Sequence, residues 1–235
     1  MVARLVRVTT GDGHPMDTWV SASGTEPAPG VVVLHEIFGI TDFIRSRLPF
    51  FNDRGYTAMA VDLYHRVAPG KSFDYHGQGF TDAFNTRNRL NDDQSVEDVA
   101  AAIGALRKLP ECDGDVAVVG YCLGGLYAFL GAGCWDASAS ISFHGVRIER
   151  RLAEASKIRV PLQMHFCGLD KHVPASAVAD IKRAVAGQVG TTIYEYPAVD
   201  HGFTRVGQPV FNEVEAERAH GRVFDLLGRT MKGAA

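Results

Sequence analysis

Long hydrophobic runs are absent from this chain, although 46% of its 235 residues are hydrophobic. No stretch approaches the roughly 18 consecutive apolar residues of a membrane-spanning helix, and the first residues lack the apolar segment of a secretory signal. With a net charge of −3 and no basic run, the chain also lacks the features that favour nucleic acid or a membrane surface as a partner. We therefore expect a cytoplasmic globular protein.

Cysteine is scarce, and the chain lacks common metal and nucleotide motifs. The four cysteines are Cys112, Cys122, Cys134 and Cys167, and no two form a Cys-x-x-Cys pair. The segment that begins at His35 has no second histidine at the spacing of a His-Glu-x-x-His zinc helix. A Gly-x-Gly-x-x-Gly dinucleotide fingerprint is also missing. We therefore expect neither a metal ion nor a cofactor.

Apolar runs alternate with helix-like segments along the chain. The runs predict strands at 31–34, 57–61, 116–119, 137–143, 160–166 and 191–196, and the patterns between them predict helices at 43–54, 94–108, 123–130, 175–186 and 212–232. This alternation is typical of a mainly parallel, twisted sheet with helices on both faces. Residues 63–91 are rich in Gly, Asp, Asn and aromatics, and predict an irregular, cap-like region within a single domain spanning 1–235.

A glycine-rich turn follows the predicted strand at 116–119. Its sequence is Gly120-Tyr121-Cys122-Leu123-Gly124-Gly125, which matches the Gly-x-nucleophile-x-Gly elbow with cysteine in place of serine. Side chains two residues either side of the nucleophile would collide with neighbouring backbone in such a turn, and the next helix directs its positive end at the sulfur. The pattern predicts that Cys122 is a nucleophile, although a buried cysteine after a strand can also be a plain core residue.

Two further candidates also follow predicted strands, where loops at the carboxyl edge of a parallel sheet collect reactive groups. Asp170 comes after the strand at 160–166, and His201 comes after the strand at 191–196. The order Cys122, Asp170, His201 is that of nucleophile, acid and histidine in α/β-hydrolases. Asp170 could instead be a turn or helix-capping residue. Asp200 is a rival acid, but a neighbour in extended backbone points to the opposite side.

The loop after the strand at 31–34 completes the expected site. In α/β-hydrolases this loop and the residue after the nucleophile supply two backbone N–H groups to an oxyanion hole, which here are those of Ile37 and Leu123. Glu36 adjoins that hole. The remaining histidines have no partners at metal-ligand spacing, and we expect them to be neither catalytic nor metal-binding: His65, His76, His144, His165, His172 and His220.

Together these residues resemble the dienelactone hydrolase (carboxymethylenebutenolidase) family over nearly the whole chain. The matching segments are His35-Glu36-Ile37-Phe38-Gly39, Asp62-Leu63-Tyr64, Gly120 to Gly125, Gly168-Leu169-Asp170 and His201-Gly202-Phe203-x-Arg205. The resemblance implies the α/β-hydrolase fold and a triad of Cys122, His201 and Asp170. It also implies that Glu36 accepts the thiol proton when an anionic substrate arrives.

The family's substrate is a small unsaturated lactone that bears a carboxylate, and its product is maleylacetate. The resemblance implies that arginines bind this carboxylate. Arg205 matches one of them, whereas the one in the cap has no clear counterpart, with Arg87 and Arg89 as candidates. We further expect Phe38 and Tyr64 to contact the substrate.

Two alternatives to a dienelactone hydrolase are compatible with the sequence. One is a carboxylesterase or thioesterase of the same family with a reshaped cap. The other is a non-catalytic binding protein or redox sensor that uses Cys122 as an oxidisable thiol, although such a protein needs neither His201 nor Asp170. The expected partner is a small ester or lactone, and the expected oligomeric state is a monomer or weak dimer.

Overall fold

The computed structural model describes residues 3–231 of the chain. Its strands are β1 (Arg4–Thr9), β2 (Pro15–Ser21), β3 (Ala28–Leu34), β4 (Thr57–Val61), β5 (Cys112–Tyr121), β6 (Ala139–Phe143), β7 (Leu162–Cys167) and β8 (Thr191–Tyr196). Its α-helices are α1 (Asp42–Asn52), α2 (Gly77–Arg87), α3 (Asp92–Arg107), α4 (Leu123–Gly131), α5 (Ala175–Val185) and α6 (Glu213–Thr230), and two 3₁₀ segments cover Ile148–Arg150 and Leu152–Lys157.

Within this range the eight strands form one sheet in the order β1-β2-β4-β3-β5-β6-β7-β8. From β4 to β8 every neighbouring pair is parallel, whereas β1 and β2 pair antiparallel with each other and β2 pairs antiparallel with β4. The parallel strands are joined by helices that cover the sheet, as crossover connections require. The predicted fold, a mainly parallel sheet with helices on both faces, is confirmed.

Successive side chains of each strand supply two separate cores. In β3, Val31 and Val33 face the core that α1 and α6 complete, while Val32 and Leu34 face the core under α3, α4 and α5. This two-residue alternation follows from the pleat of a strand. Because both faces are buried, the strand is a continuous apolar run in sequence. These cores fix the strands, and the strands in turn position the loops at the carboxyl edge of the sheet.

Two regions differ from the sequence-based expectations. β1 and β2 were not predicted: β1 is an exposed edge strand with Arg4 and Arg7, and β2 buries only alternate residues, so neither contains a continuous apolar run. The region 63–91 is not wholly irregular, because α2 lies within it. Glycines weaken the helix propensity of α2, and it packs inward through Ala83, Thr86 and Arg87 at helical spacing. The predicted end of the last helix, Lys232, lies outside the described residues.

Candidate active site

Cys122 lies on a strained turn between β5 and α4. Its φ of 54° and ψ of −106° are unusual for a residue with a side chain. A Cβ at Gly120 would lie 2.0 Å from the carbonyl oxygen of Gly124, and a Cβ at Gly124 would lie 2.4 Å from that of Leu34. The predicted need for glycine at both positions is confirmed, because any side chain there would force this turn open.

His201 and Asp170 meet beside this turn. Nδ1 of His201 lies 2.7 Å from Oδ2 of Asp170, and the other Asp170 oxygen accepts the backbone N–H groups of His172 and Val173. Burial favours the neutral acid, but the bond to His201 outweighs it and lowers the pKa of Asp170. Asp200, the rival acid, accepts the backbone N–H of His201 instead. The carboxylate that orients the imidazole in this structure is therefore that of Asp170.

The imidazole of His201 interacts with Cys122 on its other side. Burial opposes a charge on the ring, yet the negative charge of Cys122 and the hydrogen bond to Asp170 raise the pKa of His201 to about 10. The imidazolium form of His201 therefore predominates at neutral pH. Burial raises the pKa of the thiols of Cys112, Cys134 and Cys167.

The two backbone N–H groups expected to form an oxyanion hole lie on segments that contact each other. The N–H of Gly124 donates to the carbonyl of His35 over 3.0 Å, which joins the elbow to the loop after β3. Among the backbone hydrogen bonds of residues 3–231, none is donated by the N–H of Ile37 or by that of Leu123, the first residue of α4. A helix leaves its first N–H groups without partners, which explains the unused N–H of Leu123, whereas that of Ile37 belongs to the loop after β3.

Glu36 and Arg205 form a buried ion pair. Nη2 of Arg205 donates to Oε1 of Glu36 over 2.6 Å, and Glu36 is only 1% exposed. Burial would raise the pKa of Glu36, but Arg205 and the nearby His144 outweigh it and lower the pKa to about 2. While this pair persists, Glu36 is a carboxylate with little tendency to accept a proton.

Aromatic residues of the cap and of the loop after β3 surround Arg205. Its guanidinium carbon lies 4.5 Å from the ring centre of Tyr75 and 5.8 Å from that of Phe38, and Phe38 in turn contacts Phe80 of α2. The Nε of Arg205 is buried without a partner among the described residues. A guanidinium of this kind, on an aromatic wall with an unused donor, suits a carboxylate ligand.

The side chains of Tyr64 and Arg87 are held by other groups of the chain. Tyr64 is fully buried, and its hydroxyl donates to the carbonyl of Ile37 over 2.6 Å, so it supports the loop after β3. Arg87 is also buried and donates to Asp92, which accepts the hydroxyl of Tyr127 as well. Cap position alone predicts neither outcome, because the partners that take up these side chains come from other segments of the chain.

Sequence reasoning missed His144, which lies against His201 with ring centres 4.3 Å apart. It was expected to be neither catalytic nor metal-binding because it has no partner at regular spacing. Its position directly after β6 could have identified it, since the same rule located Asp170 and His201. Among the described residues, no group of three or more His, Cys, Asp or Glu side chains is placed to hold a metal ion. No described helix is long and apolar enough to cross a membrane.

Comparison with known proteins identifies the family. The Dienelactone hydrolase family matches residues 16–231. The carboxymethylenebutenolidase of Pseudomonas putida is 30% identical and carboxymethylenebutenolidase 1 of Cupriavidus pinatubonensis is 32% identical, each over 97% of both chains.

Solved structures share the fold at lower identity. A Klebsiella pneumoniae protein assigned to the dienelactone hydrolases superposes with a TM-score of 0.87 at 21% identity, covering 97% of this chain and 98% of its own. The Pyrococcus furiosus esterase Pf2001 has a TM-score of 0.74 at 18% identity, with 98% and 91% covered. The expected α/β-hydrolase fold is confirmed, and the chain belongs to the dienelactone hydrolase family, a family of hydrolases.

Proposed function

We propose that this protein hydrolyses small esters or lactones that carry a carboxylate, of the dienelactone type that yields maleylacetate, through a cysteinyl thioester. The observation that carries the proposal is the alignment of Cys122, His201 and Asp170 at a strained elbow beside two unused backbone N–H groups. Two curated relatives named carboxymethylenebutenolidases support the substrate class.

In the first half of the reaction, the Cys122 thiolate attacks the ester carbonyl. The N–H groups of Leu123 and Ile37 stabilise the oxyanion, and each such donor is worth about 2.7–4 kcal/mol in comparable enzymes. The carbon–oxygen bond of the ester then breaks, and the imidazolium of His201 protonates the departing oxygen. In a dienelactone this oxygen belongs to an enol, which is an easy leaving group.

In the second half, neutral His201 takes a proton from water, which attacks the thioester. Asp170 holds the Nδ1 side of the ring and so keeps Nε2 directed at the reacting atoms. Collapse of the second tetrahedral intermediate expels the Cys122 sulfur and restores the pair of thiolate and imidazolium. The products are a carboxylate and, for a lactone, a keto or enol group in the same molecule.

Arg205 and Glu36 are proposed to give the enzyme its preference for anions. A substrate carboxylate at Arg205 competes with Glu36 for the same guanidinium. Once released, Glu36 loses the interaction that keeps it charged, and burial then favours its protonated form. Glu36 thereby becomes a second acceptor, beside His201, for the proton of any Cys122 that is still a thiol, and it does so only when the substrate is anionic.

A second candidate function is hydrolysis of neutral aryl or acyl esters. Of the two cap arginines expected to bind a carboxylate, Arg87 is paired with Asp92 and Arg89 is exposed. Instead, α2 exposes Phe80 and Phe84. An aromatic cap face favours an apolar group on the substrate.

The test compares hydrolysis of a dienelactone carboxylate with that of p-nitrophenyl acetate. Wild-type protein, Cys122→Ala and the control Cys134→Ala, which removes an exposed thiol, are assayed side by side. We expect turnover of the dienelactone, a loss of at least about a thousandfold in Cys122→Ala, and little change in Cys134→Ala. Turnover of the neutral ester alone would support the second candidate, and activity that survives in Cys122→Ala would refute the cysteine mechanism.

A further inference from the structure

His144 is buried between the two parts of the site and has no hydrogen-bond partner for its ring. It is fully buried, and neither Nδ1 nor Nε2 has a partner among the described residues. Its Nε2 lies 3.9 Å from Oε1 of Glu36, about 1 Å beyond a hydrogen bond. One oxygen of Glu36, Oε2, is likewise buried without a partner. A ring nitrogen of His144 without a partner therefore lies 3.9 Å from a carboxylate whose second oxygen is also unpaired among the described residues.

The backbone of His144 is also strained. Its φ is 38°, and the non-glycine residues with positive φ in the range 3–231 are Cys122, His144 and Arg147. Such conformations cost free energy and are retained where the surroundings enforce them, most often at functional sites. The N–H of His144 donates to the carbonyl of His165 over 2.7 Å, which holds the residue in this conformation. The strain directs the ring into the space between His201 and Glu36.

The chemistry of the two possible partners of Glu36 differs. A guanidinium only donates, so Arg205 binds the charged carboxylate and disfavours the acid. A neutral imidazole donates from one nitrogen and accepts at the other, so it can bond either form. Burial, together with the positive charge of His201, lowers the pKa of His144 to about 4, and the ring is therefore neutral at pH 7. His144 can accordingly stay bonded to Glu36 while that group gains or loses a proton.

We propose that His144 is a positioning residue that receives Glu36 when a substrate anion occupies Arg205. This inference rests on the proposed function. It adds a second position for Glu36, at His144, whose ring contacts that of the catalytic histidine His201. Without His144, the released carboxyl group has no partner in the interior and returns to Arg205, where it competes with the substrate. The expected consequence of losing the imidazole is slower hydrolysis of anionic substrates, with little effect on neutral ones.

Two substitutions at this position separate the imidazole's hydrogen bonds from its packing. His144→Phe keeps a flat ring against His201 and removes both nitrogens. His144→Asn keeps an amide that can donate and accept, and asparagine tolerates positive φ better than other side chains. His172 provides a matched control, because its ring also contacts His201, at 5.0 Å, but it is exposed. If His144→Phe fails to fold, His144→Leu replaces it in the test, because leucine is smaller and also lacks both ring nitrogens.

The assay uses p-nitrophenyl hemisuccinate and p-nitrophenyl butyrate, which differ mainly in a terminal carboxylate. We expect His144→Phe to lower kcat/KM for the hemisuccinate about tenfold more than for the butyrate, with most of this loss in KM because the returning Glu36 competes with the substrate carboxylate. His144→Asn is expected to restore the ratio to within about twofold of wild type. His172→Phe is expected to affect both esters equally.

A second measurement needs no turnover. Iodoacetate carries a carboxylate and iodoacetamide does not. The rates at which the two reagents alkylate Cys122 can be compared with their rates at the exposed Cys134 of the same molecule. We expect His144→Phe to reduce the relative preference of Cys122 for iodoacetate. Equal losses on both esters with an unchanged alkylation preference would overturn the role of His144, whereas hydrolysis that persists in Cys122→Ala would overturn the proposed function itself.

Discussion

The two parts of the site differ in how completely their polar groups are satisfied. In the triad, Asp170 accepts three hydrogen bonds and His201 is fixed by it. In the anion-responsive group, which we define as Glu36, Arg205 and His144, four buried polar atoms have no partner among the described residues: Oε2 of Glu36, Nε of Arg205 and both ring nitrogens of His144. Unsatisfied buried groups are costly and rare. The proposed triad is thus preformed, whereas the proposed anion-responsive group contains unpaired polar atoms that a ligand can complete.

The largest expected effect breaks the preformed part. Asp170→Asn is expected to lower kcat about 10³–10⁴-fold, because an amide can donate to His201 and hold the wrong tautomer. Steady-state kinetics on p-nitrophenyl acetate measure it. The control is Asp200→Asn, since the hydrogen bond between Asp200 and His201 involves the backbone N–H and not the ring. Similar losses in the two variants would show that Asp170 is not the orienting acid.

A smaller effect concerns the charge of Glu36. Its pKa in the folded protein, about 2, is below the ordinary 4.5, so its charge stabilises the folded state above pH 4.5 and this contribution is lost as the pH falls towards 2. The stability difference between wild type and Glu36→Gln should therefore shrink by about 2 kcal/mol from pH 7 to pH 3. Urea unfolding at both values measures it. A difference independent of pH would mean that Glu36 is not held as a buried carboxylate.

The smallest effect sharpens the division between the two parts. Arg205→Ala should raise KM for p-nitrophenyl hemisuccinate about tenfold, because a charge-assisted bond to the substrate carboxylate is lost. KM for p-nitrophenyl butyrate should stay nearly constant, since a neutral ester does not engage the guanidinium. Equal changes for both esters would assign Arg205 to the support of Glu36 alone.

The central sheet could be predicted because its strands are buried on both faces. The strands β4 and β8 match their predicted bounds, whereas β3 and β5 begin a few residues before their predicted starts. The antiparallel strands β1 and β2 were not predicted, because pairing with their neighbours, not their own apolar content, holds them in place. The helix α2 was not predicted for a similar reason, since the packing of three residues outweighs the low helix propensity of its two glycines.

Within the site, the residues that sequence order could locate are those that follow strands. Cys122, Asp170 and His201 were identified in this way, and the structure brings them together. The side chain of Arg87 is held by Asp92, and that of Tyr64 is held by a backbone carbonyl of another loop. Such pairings need three-dimensional positions. His144 follows a strand too, but its importance depends on lying between Glu36 and His201.

The contacts of the cap also bear on how new specificities arise. Tyr75 stacks on Arg205, Phe80 contacts Phe38, and the N–H of Phe73 donates to the carbonyl of Phe38. The region 63–91 thus shapes the surroundings of the anion-binding arginine and contributes no member of the triad. Arg205 itself follows His201 closely in the sequence, but part of its aromatic surroundings is encoded in this separate segment. Under the proposed function, changes confined to that segment would alter which substrates bind while Cys122, Asp170 and His201 are inherited unchanged.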